Sequence, residues 1–369
     1  MVALWGRHKT CPYYWMDEMY EFCWPVRTLV GAGLIEQVDE YVTPPAAAGR
    51  LLLVAPCEPW AQPLVRRIAA QLREAGWEWI ETFAEVEPNP SWETVARGAE
   101  QGEAAGASAV LAVGGGSTMD AGKVIAERCG AAFLCTVPTT AGTGAEISPW
   151  AVISNRQTRM KDSVTAKWPD LALLDPELTL SLPPRATLFT GVDAFIHGLE
   201  AYVSSAATPI TDALALGGME LVASHLRVAV ERGDDIQARS AMMEGSLLTG
   251  AAMLHAGLGL MHAIGNVTGG LYHQLPHGLI LMRCMDAVLE YSAPVAGEKF
   301  SRIEPLVEQV RDDVETLFAE LAVPDVKVAE ADLPLLAERA VVNVNARTNP
   351  RPAGEDNVIA IVRECFRIQ

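Results

Sequence analysis

The 369-residue chain predicts two domains of different class, an α/β N-terminal domain on a parallel sheet (residues 1–184) and an all-α C-terminal domain (185–369). Three observations carry this. In the first half, short apolar runs of strand length alternate with segments of helical period, the order that a doubly wound parallel sheet requires. Past Leu180-Ser-Leu-Pro-Pro184 the alternation stops and long alanine- and leucine-rich segments take over. With 50% hydrophobic residues the chain can bury a large core, and its length suits two domains.

Arg27-Thr-Leu-Val30 reads as a short strand closed by Gly31-Ala-Gly33, and Leu34 to Val42 then follows helical spacing until Pro44 and Pro45 end it. Arg50 to Ala55 is a second strand and Gln62 to Ala75 a helix. Trp77 to Phe83 and Trp92 to Ala105 repeat the pair, and Ala109 to Val113 is a buried strand of β-branched and small residues. Gly114-Gly-Gly-Ser-Thr-Met-Asp120 follows directly and opens a helix, Ala121 to Glu127. Glycines let backbone approach a phosphate closely, and a helix N-terminus offers unpaired N–H groups with a favourable dipole. A tight strand-to-helix connection needs glycine anyway, so this turn alone is a weak signal.

The next strand, Ala132 to Val137, ends in Pro138-Thr-Thr-Ala-Gly-Thr-Gly-Ala-Glu146. Its three hydroxyls and two glycines sit at the carboxyl end of a strand, where a dinucleotide crevice is lined. Two such loops on successive strands point to a pyrophosphate ligand. Asn89, in Pro88-Asn-Pro90, is a third contact or simply a turn.

In the second half, Gly191 to Val203, Ile210 to Arg232, Ile236 to Leu254 and Gly259 to Gly269 read as helices, with Gly233-Asp-Asp235 as a turn between two of them. The tail adds Glu298 to Ala322, Leu333 to Asn343 and, after Asn349-Pro-Arg-Pro352, a last helix from Glu355 to Phe366. Such a bundle beside the sheet leaves a cleft between the domains. Asp193 and His197 are four residues apart and share one helix face. They form half of a metal site that His262 and His277 can complete. One carboxylate and three imidazoles suit Fe²⁺, Zn²⁺ or another first-row divalent ion, although a single histidine on an apolar face is more often a hydrogen-bonded core residue.

A formal net charge of −18 without any basic block opposes nucleic acid and anionic membrane surfaces. The seven cysteines are scattered without a C-x-x-C pair, which fits a reducing cytoplasm. No uninterrupted apolar run approaches the ~20 residues of a membrane span. Met1 to Trp24 mixes charges with aromatics, unlike the apolar region of a signal peptide. Met1 to Pro25, rich in Trp and Tyr, is read only as packing on the first domain or on a partner subunit.

The Gly114–Asp120 and Pro138–Glu146 motifs, followed by Asp175-Pro-Glu-Leu-Thr179 and Asp193-x-x-x-His197, together resemble the iron-containing (group III) alcohol dehydrogenase family. The motifs stand in family order and the likeness runs from about Val26 to the C-terminus. It implies a dehydroquinate synthase-like architecture, an NAD or NADP site on the first domain, a divalent metal on the second, and a homodimer. By position, Gly115, Gly116, Ser117, Thr118 and Asp120 would meet the pyrophosphate and nicotinamide side of the cofactor. Thr139, Thr140 and Thr143 would line the same groove with Asn89, Lys161 would reach the ribose, and Asp193, His197, His262 and His277 would hold Fe²⁺ or Zn²⁺.

Three departures from the family pattern bear on function. Pro56 stands where NAD-preferring members carry an aspartate, which makes a 2′-phosphate tolerable. Asn266 stands where a histidine is usual, and asparagine hydrogen-bonds but does not titrate. The spacing from His262 to His277 is one residue longer than usual, as though Gln274 or Leu275 were inserted. His255 would share a face with His262 if one helix ran through Gly257 and Gly259, which makes it a proton-relay candidate; His273 is another group facing substrate, while His8 and His225 read as structural. The chemistry implied is hydride transfer between the nicotinamide and a primary alcohol or aldehyde whose oxygen a metal polarises. The alternatives are a polyol dehydrogenase or dehydroquinate-synthase-like enzyme on the same fold, or a non-catalytic member that binds cofactor and metal.

Overall fold

The computed structural model describes residues 19–44 and 49–369. Residues 1–18, with His8, and Pro45 lie outside it. Six strands form the main sheet: β1 (Arg27–Val30), β2 (Arg50–Pro56), β3 (Trp79–Val86), β4 (Ala109–Gly114), β5 (Phe133–Pro138) and β8 (Leu171–Leu174). Their order is β1-β8-β5-β4-β2-β3 and every pairing is parallel. Helices α2 (Ala61–Glu74), α3 (Trp92–Ala105) and α4 (Gly116–Arg128) alternate with these strands.

Strand β4 is buried at every residue and β2 at all but the first. That is the mark of a sheet covered on both faces. Alternate residues serve alternate faces: Leu52, Val54, Val110 and Ala112 pack with Val95, Met119 and Ile125, while Leu51, Leu53, Leu111 and Val113 pack with Val65, Ile68 and Leu72. The chain runs outward from β2 to β3 and returns to β4 on the other side of β2. The strand order therefore reverses between β2 and β4, and a ligand crevice opens at their carboxyl ends, Pro56 and Gly114.

Local structure differs from the sequence expectation at several points. Leu34 to Val42 is a 3₁₀ turn (Leu34–Gln37) and a single helical turn, α1 (Val38–Tyr41), entered through left-handed Gly33. Helix α4 starts at Gly116, not Ala121, because the Gly-Ser-Thr run is itself its first turn. An antiparallel hairpin of β6 (Trp150–Asn155) and β7 (Met160–Thr165) had no counterpart in the strand reading, nor did β8. Strand β7 buries none of its residues fully, so it carries no apolar run to announce it.

The helical half comprises α5 (Pro184–Val203), α6 (Pro209–Glu231), α7 (Ile236–Ala256), α8 (Leu260–Leu271), α9 (His277–Glu320), α10 (Leu333–Val342) and α11 (Glu355–Cys365), with a short parallel pair β9 (Lys327–Val328) and β10 (Arg367–Ile368). Prolines at the first position open α5 and α6, where the missing N–H costs nothing. Thr208 caps α6 and Asp235 caps α7 through their side chains. Helix α9 runs 44 residues through Pro294 and Pro305, twenty-one residues ahead of the Glu298 start expected from sequence. Helix α6 is long and apolar enough by length and composition to cross a membrane. In the fold, its Ala215, Met219, Val222 and Leu226 are buried in the helical core.

The described part of the N-terminal segment reaches both halves: Phe22 stacks on His255 of α7 with ring centroids 4.1 Å apart, while Trp24 packs against the core that α5 to α9 share and donates its indole N–H to Thr28 Oγ1 of β1 at 3.3 Å.

Candidate active site

Helix α5 is buried from Gly191 to Val203, and it carries Asp193 and His197 one turn apart into the space between α8 and α9. His262 comes from the first turn of α8 and His277 is the first residue of α9. The Nε2 atoms of His262, His197 and His277 lie 3.4, 3.7 and 3.7 Å from Asp193 Oδ1. Asp193, His262 and His277 each offer one ligand atom within 4.8 Å of the others. His197 joins them by stacking on His262, centroids 4.6 Å apart and planes at 15°. The set expected from sequence is thus brought together at one point.

Two ring nitrogens are tied from behind. His262 Nδ1 lies 2.6 Å from Glu200 Oε2, and His197 Nδ1 lies 3.0 Å from the Gly142 carbonyl. Asp193 Oδ1 and His262 Nε2 are nevertheless buried with no hydrogen-bond partner. Orphaned buried acceptors are costly, and a divalent cation among them removes that cost; the residues present fit such an ion. Electrostatics agree. Burial opposes the Asp193 carboxylate, but the three imidazoles outweigh it and hold its pKa well below the usual range. Burial lowers His197 to about 4, which leaves it neutral and ligand-ready at pH 7. His262, by contrast, is raised to about 9 despite burial by the neighbouring Asp193 and Glu200 carboxylates, so a metal at Nε2 takes the place of a proton.

Close backbone approach fixes the third ligand element. A Cβ on Gly278 would meet the Phe189 carbonyl oxygen at 2.0 Å, so α9 abuts α5 directly beside His277. The turn 272–276, where the sequence suggests one inserted residue, exposes His273 and Gln274. It displaces no ligand.

At the crevice, Gly115 is the N-cap of α4 and no side chain caps that helix, which leaves its first N–H groups open to an anion. Only part of the glycine requirement belongs to a ligand. A Cβ on Gly114 would meet Thr118 Oγ1 at 2.4 Å and one on Gly116 would meet Thr143 Cγ2 at 2.7 Å, whereas Gly115 would stay 3.4 Å from Thr140. The loop's own threonines exclude side chains at Gly114 and Gly116. The Thr139 N–H donates to the Gly114 carbonyl (2.9 Å), and the N–H of Asn89, in the left-handed region at φ 56°, donates to Ser117 Oγ (3.0 Å). Asn89, Gly114–Thr118 and Thr139–Thr143 therefore share one crevice.

Asp120 is committed within the protein. Its Oδ1 pairs with buried Lys123 Nζ at 2.9 Å and its Oδ2 accepts the Val152 N–H at 2.9 Å, which ties α4 to the hairpin. Lys161, on β7, lies in the fields of Asp193 and Asp120, and burial lowers its ammonium to about 8. A Cβ on Gly269 of α8 would come within 3.1 Å of Lys161 Nζ. The hairpin thereby sets Lys161 between the crevice and the histidine cluster.

Asn266 is half-buried on α8, one turn past His262. His255 is not on His262's helix: α7 and α8 are separate and bent by 100° at Gly257–Gly259. The continuous helix on which its relay role depended does not exist, because Gly257 takes a left-handed φ of 72° and ends α7. Sequence reasoning missed Glu200, Gly142 and Lys123. Glu200 alone had a signal, since it lies three residues after His197 and seven after Asp193 on the same helix face.

The description "Iron-containing alcohol dehydrogenase" matches residues 25–176, and "Fe-containing alcohol dehydrogenase family, C-terminal" matches 187–366. The chain is 36% identical to the 1-propanol dehydrogenase of Salmonella typhimurium, covering 77% of this chain and 85% of that one. It is 30% identical to the NAD-dependent methanol dehydrogenase of Bacillus methanolicus, covering 94% and 100%. The fold superposes on a crystal structure of 1,3-propanediol oxidoreductase with a TM-score of 0.85 at 31% identity, covering 95% and 100%. The chain therefore belongs to the iron-containing alcohol dehydrogenase family.

Proposed function

We propose that the chain is a metal-dependent oxidoreductase that moves a hydride between NAD or NADP and a small primary alcohol or its aldehyde, working as a cytoplasmic homodimer. Asp193, His197, His262 and His277 hold the metal, Fe²⁺ or Zn²⁺; Asn89, Gly115, Gly116, Ser117, Thr118, Thr139, Thr140, Thr143 and Lys161 form the cofactor crevice, with Asp120 bracing it. The carrying observation is the convergence of four ligand side chains, with Asp193 Oδ1, His262 Nε2 and His277 Nδ1 buried without partners, beside an uncapped helix N-terminus. When bound, the metal supplies Lewis-acid polarisation of the substrate oxygen and the nicotinamide supplies or takes the hydride.

The protein's residues position and exclude. Glu200 and Gly142 aim two imidazoles, the threonine loop closes over the glycine turn, and Lys161 places a cation between the two binding regions. Asn266 offers a hydrogen bond near the cleft but no titrating proton, so proton transfer falls to water or to another group, with His273 and His255 the histidines to test. The division between domains is placed at residue 184, where α5 begins.

The test is elemental analysis of purified protein combined with a panel of alcohols and aldehydes assayed with NADH and NADPH in parallel. One bound transition metal per chain and turnover abolished by His262→Ala are expected. A metal-free yet active protein would overturn the proposal.

A further inference from the structure

Glu200 is buried, 3% exposed, on the ligand-bearing helix α5, and it spans to the second ligand helix with both oxygens. Oε1 accepts the Met261 N–H at 2.7 Å and Oε2 lies 2.6 Å from His262 Nδ1. The first bond caps the start of α8 and the second fixes the ring of the residue next along that helix. Asn349 completes the cap by accepting the Leu260 N–H at 3.1 Å. Gly259 makes this approach possible: a Cβ there would stand 2.7 Å from Glu200 Oε1 and 2.8 Å from Asn349 Oδ1.

We infer that Glu200 is a positioning residue for the metal site, holding His262 in the one orientation and tautomer that presents Nε2 beside Asp193. The inference rests on the metal-site reading above. A carboxylate bonded to Nδ1–H leaves the lone pair on Nε2, which is the atom 3.4 Å from Asp193 Oδ1. The same carboxylate locks α8 against α5, so the ligands from the two helices keep a common register. Glutamine cannot replace it. The side chain satisfies two donors with two oxygens, and an amide has only one acceptor oxygen; Glu200→Gln therefore sets an NH₂ group against either His262 Nδ1–H or the Met261 N–H. Losing a partner of this kind ordinarily weakens metal binding by about 10–100-fold.

The experiment measures Co²⁺ binding to the purified full-length protein against graded chelator, following the visible d–d absorption, for wild type, Glu200→Gln and Gly259→Ala. Expected are one Co²⁺ per chain in wild type, binding weakened by about 10–100-fold in Glu200→Gln with an altered d–d spectrum, and a loss in the same direction for Gly259→Ala, whose new methyl displaces the carboxylate. Melting temperatures of the metal-free proteins separate a mere helix cap from a ligand-positioning role. If Glu200→Gln melts lower but binds Co²⁺ within about twofold of wild type with an unchanged spectrum, below the 10-fold minimum expected, the inference is wrong. If wild type binds no Co²⁺, the metal-site reading itself has failed.

Discussion

Gly142→Ala tests whether the cofactor loop and the metal site are mechanically one unit. Gly142 sits in the threonine loop, and a Cβ there would lie 2.5 Å from the Thr190 carbonyl oxygen and 2.9 Å from its carbonyl carbon. Both are backbone atoms of buried α5 and cannot swing aside. An ordinary contact begins near 3.4 Å, so the loop must lift by about 0.9 Å. A displacement of that size stretches the bond between the Gly142 carbonyl and His197 Nδ1, now 3.0 Å, beyond useful length. A buried imidazole N–H left without its acceptor costs about 1–3 kcal/mol, and metal affinity falls by about 10–100-fold because the ring is no longer aimed.

Gly144→Ala is the matched comparison. Its Cβ would press on Gly250 of α7 at 2.8 Å and the residue is left-handed, φ 61°, so the same loop is strained without touching the histidine's partner. Metal titration and calorimetric melting of both variants are the assays. The expected result is similar loss of stability but a larger loss of metal affinity in Gly142→Ala. Equal metal affinity in the two variants would refute the coupling.

Glu146 is buried, 3% exposed, and burial raises its carboxyl from 4.5 to about 7, against the lowering by its own backbone N–H and Lys123. The folded state thus binds this proton more tightly than the unfolded chain, so its contribution is present below about pH 4.5 and is lost as pH rises through about 7. Glu146→Gln should match wild type near pH 4 and exceed it by roughly 3 kcal/mol at pH 8; parallel urea titrations at the two pH values check this, and a constant difference would contradict it. Lys123→Met keeps the side-chain volume but strands Asp120 and the Ala145 and Trp150 carbonyls that the ammonium serves, so a loss of about 3–5 kcal/mol in urea unfolding is expected. His255→Ala should leave the pH–rate profile unchanged while lowering the melting temperature through the lost Phe22 stacking; a displaced limb of the profile would restore His255 to the proton path.

Much of the sheet was legible because its strands are continuous apolar runs bounded by glycine and proline. The hairpin β6–β7 was not, because a half-exposed ribbon satisfies its backbone by pairing and needs no apolar run. The Asp193–His197 pair could be read from spacing, since helical period alone puts both on one face. The structure adds to the glycine turn that a side chain at Gly114 or Gly116 would meet Thr118 or Thr143, contacts between a turn and side chains that sequence distance does not reveal.

The sequence by itself determined the two fold classes, the ligand types and the crevice loops, because these depend on local period and side-chain chemistry. The structure removed the single-helix condition on which a relay through His255 depended, and tertiary structure alone decided that Glu200 and Gly142 aim two of the ligands. Those relations lie between elements 55 and 62 residues apart in the chain. They are set by how closely backbones approach at Gly142, Gly259 and Gly278, a property of packing that no single segment encodes.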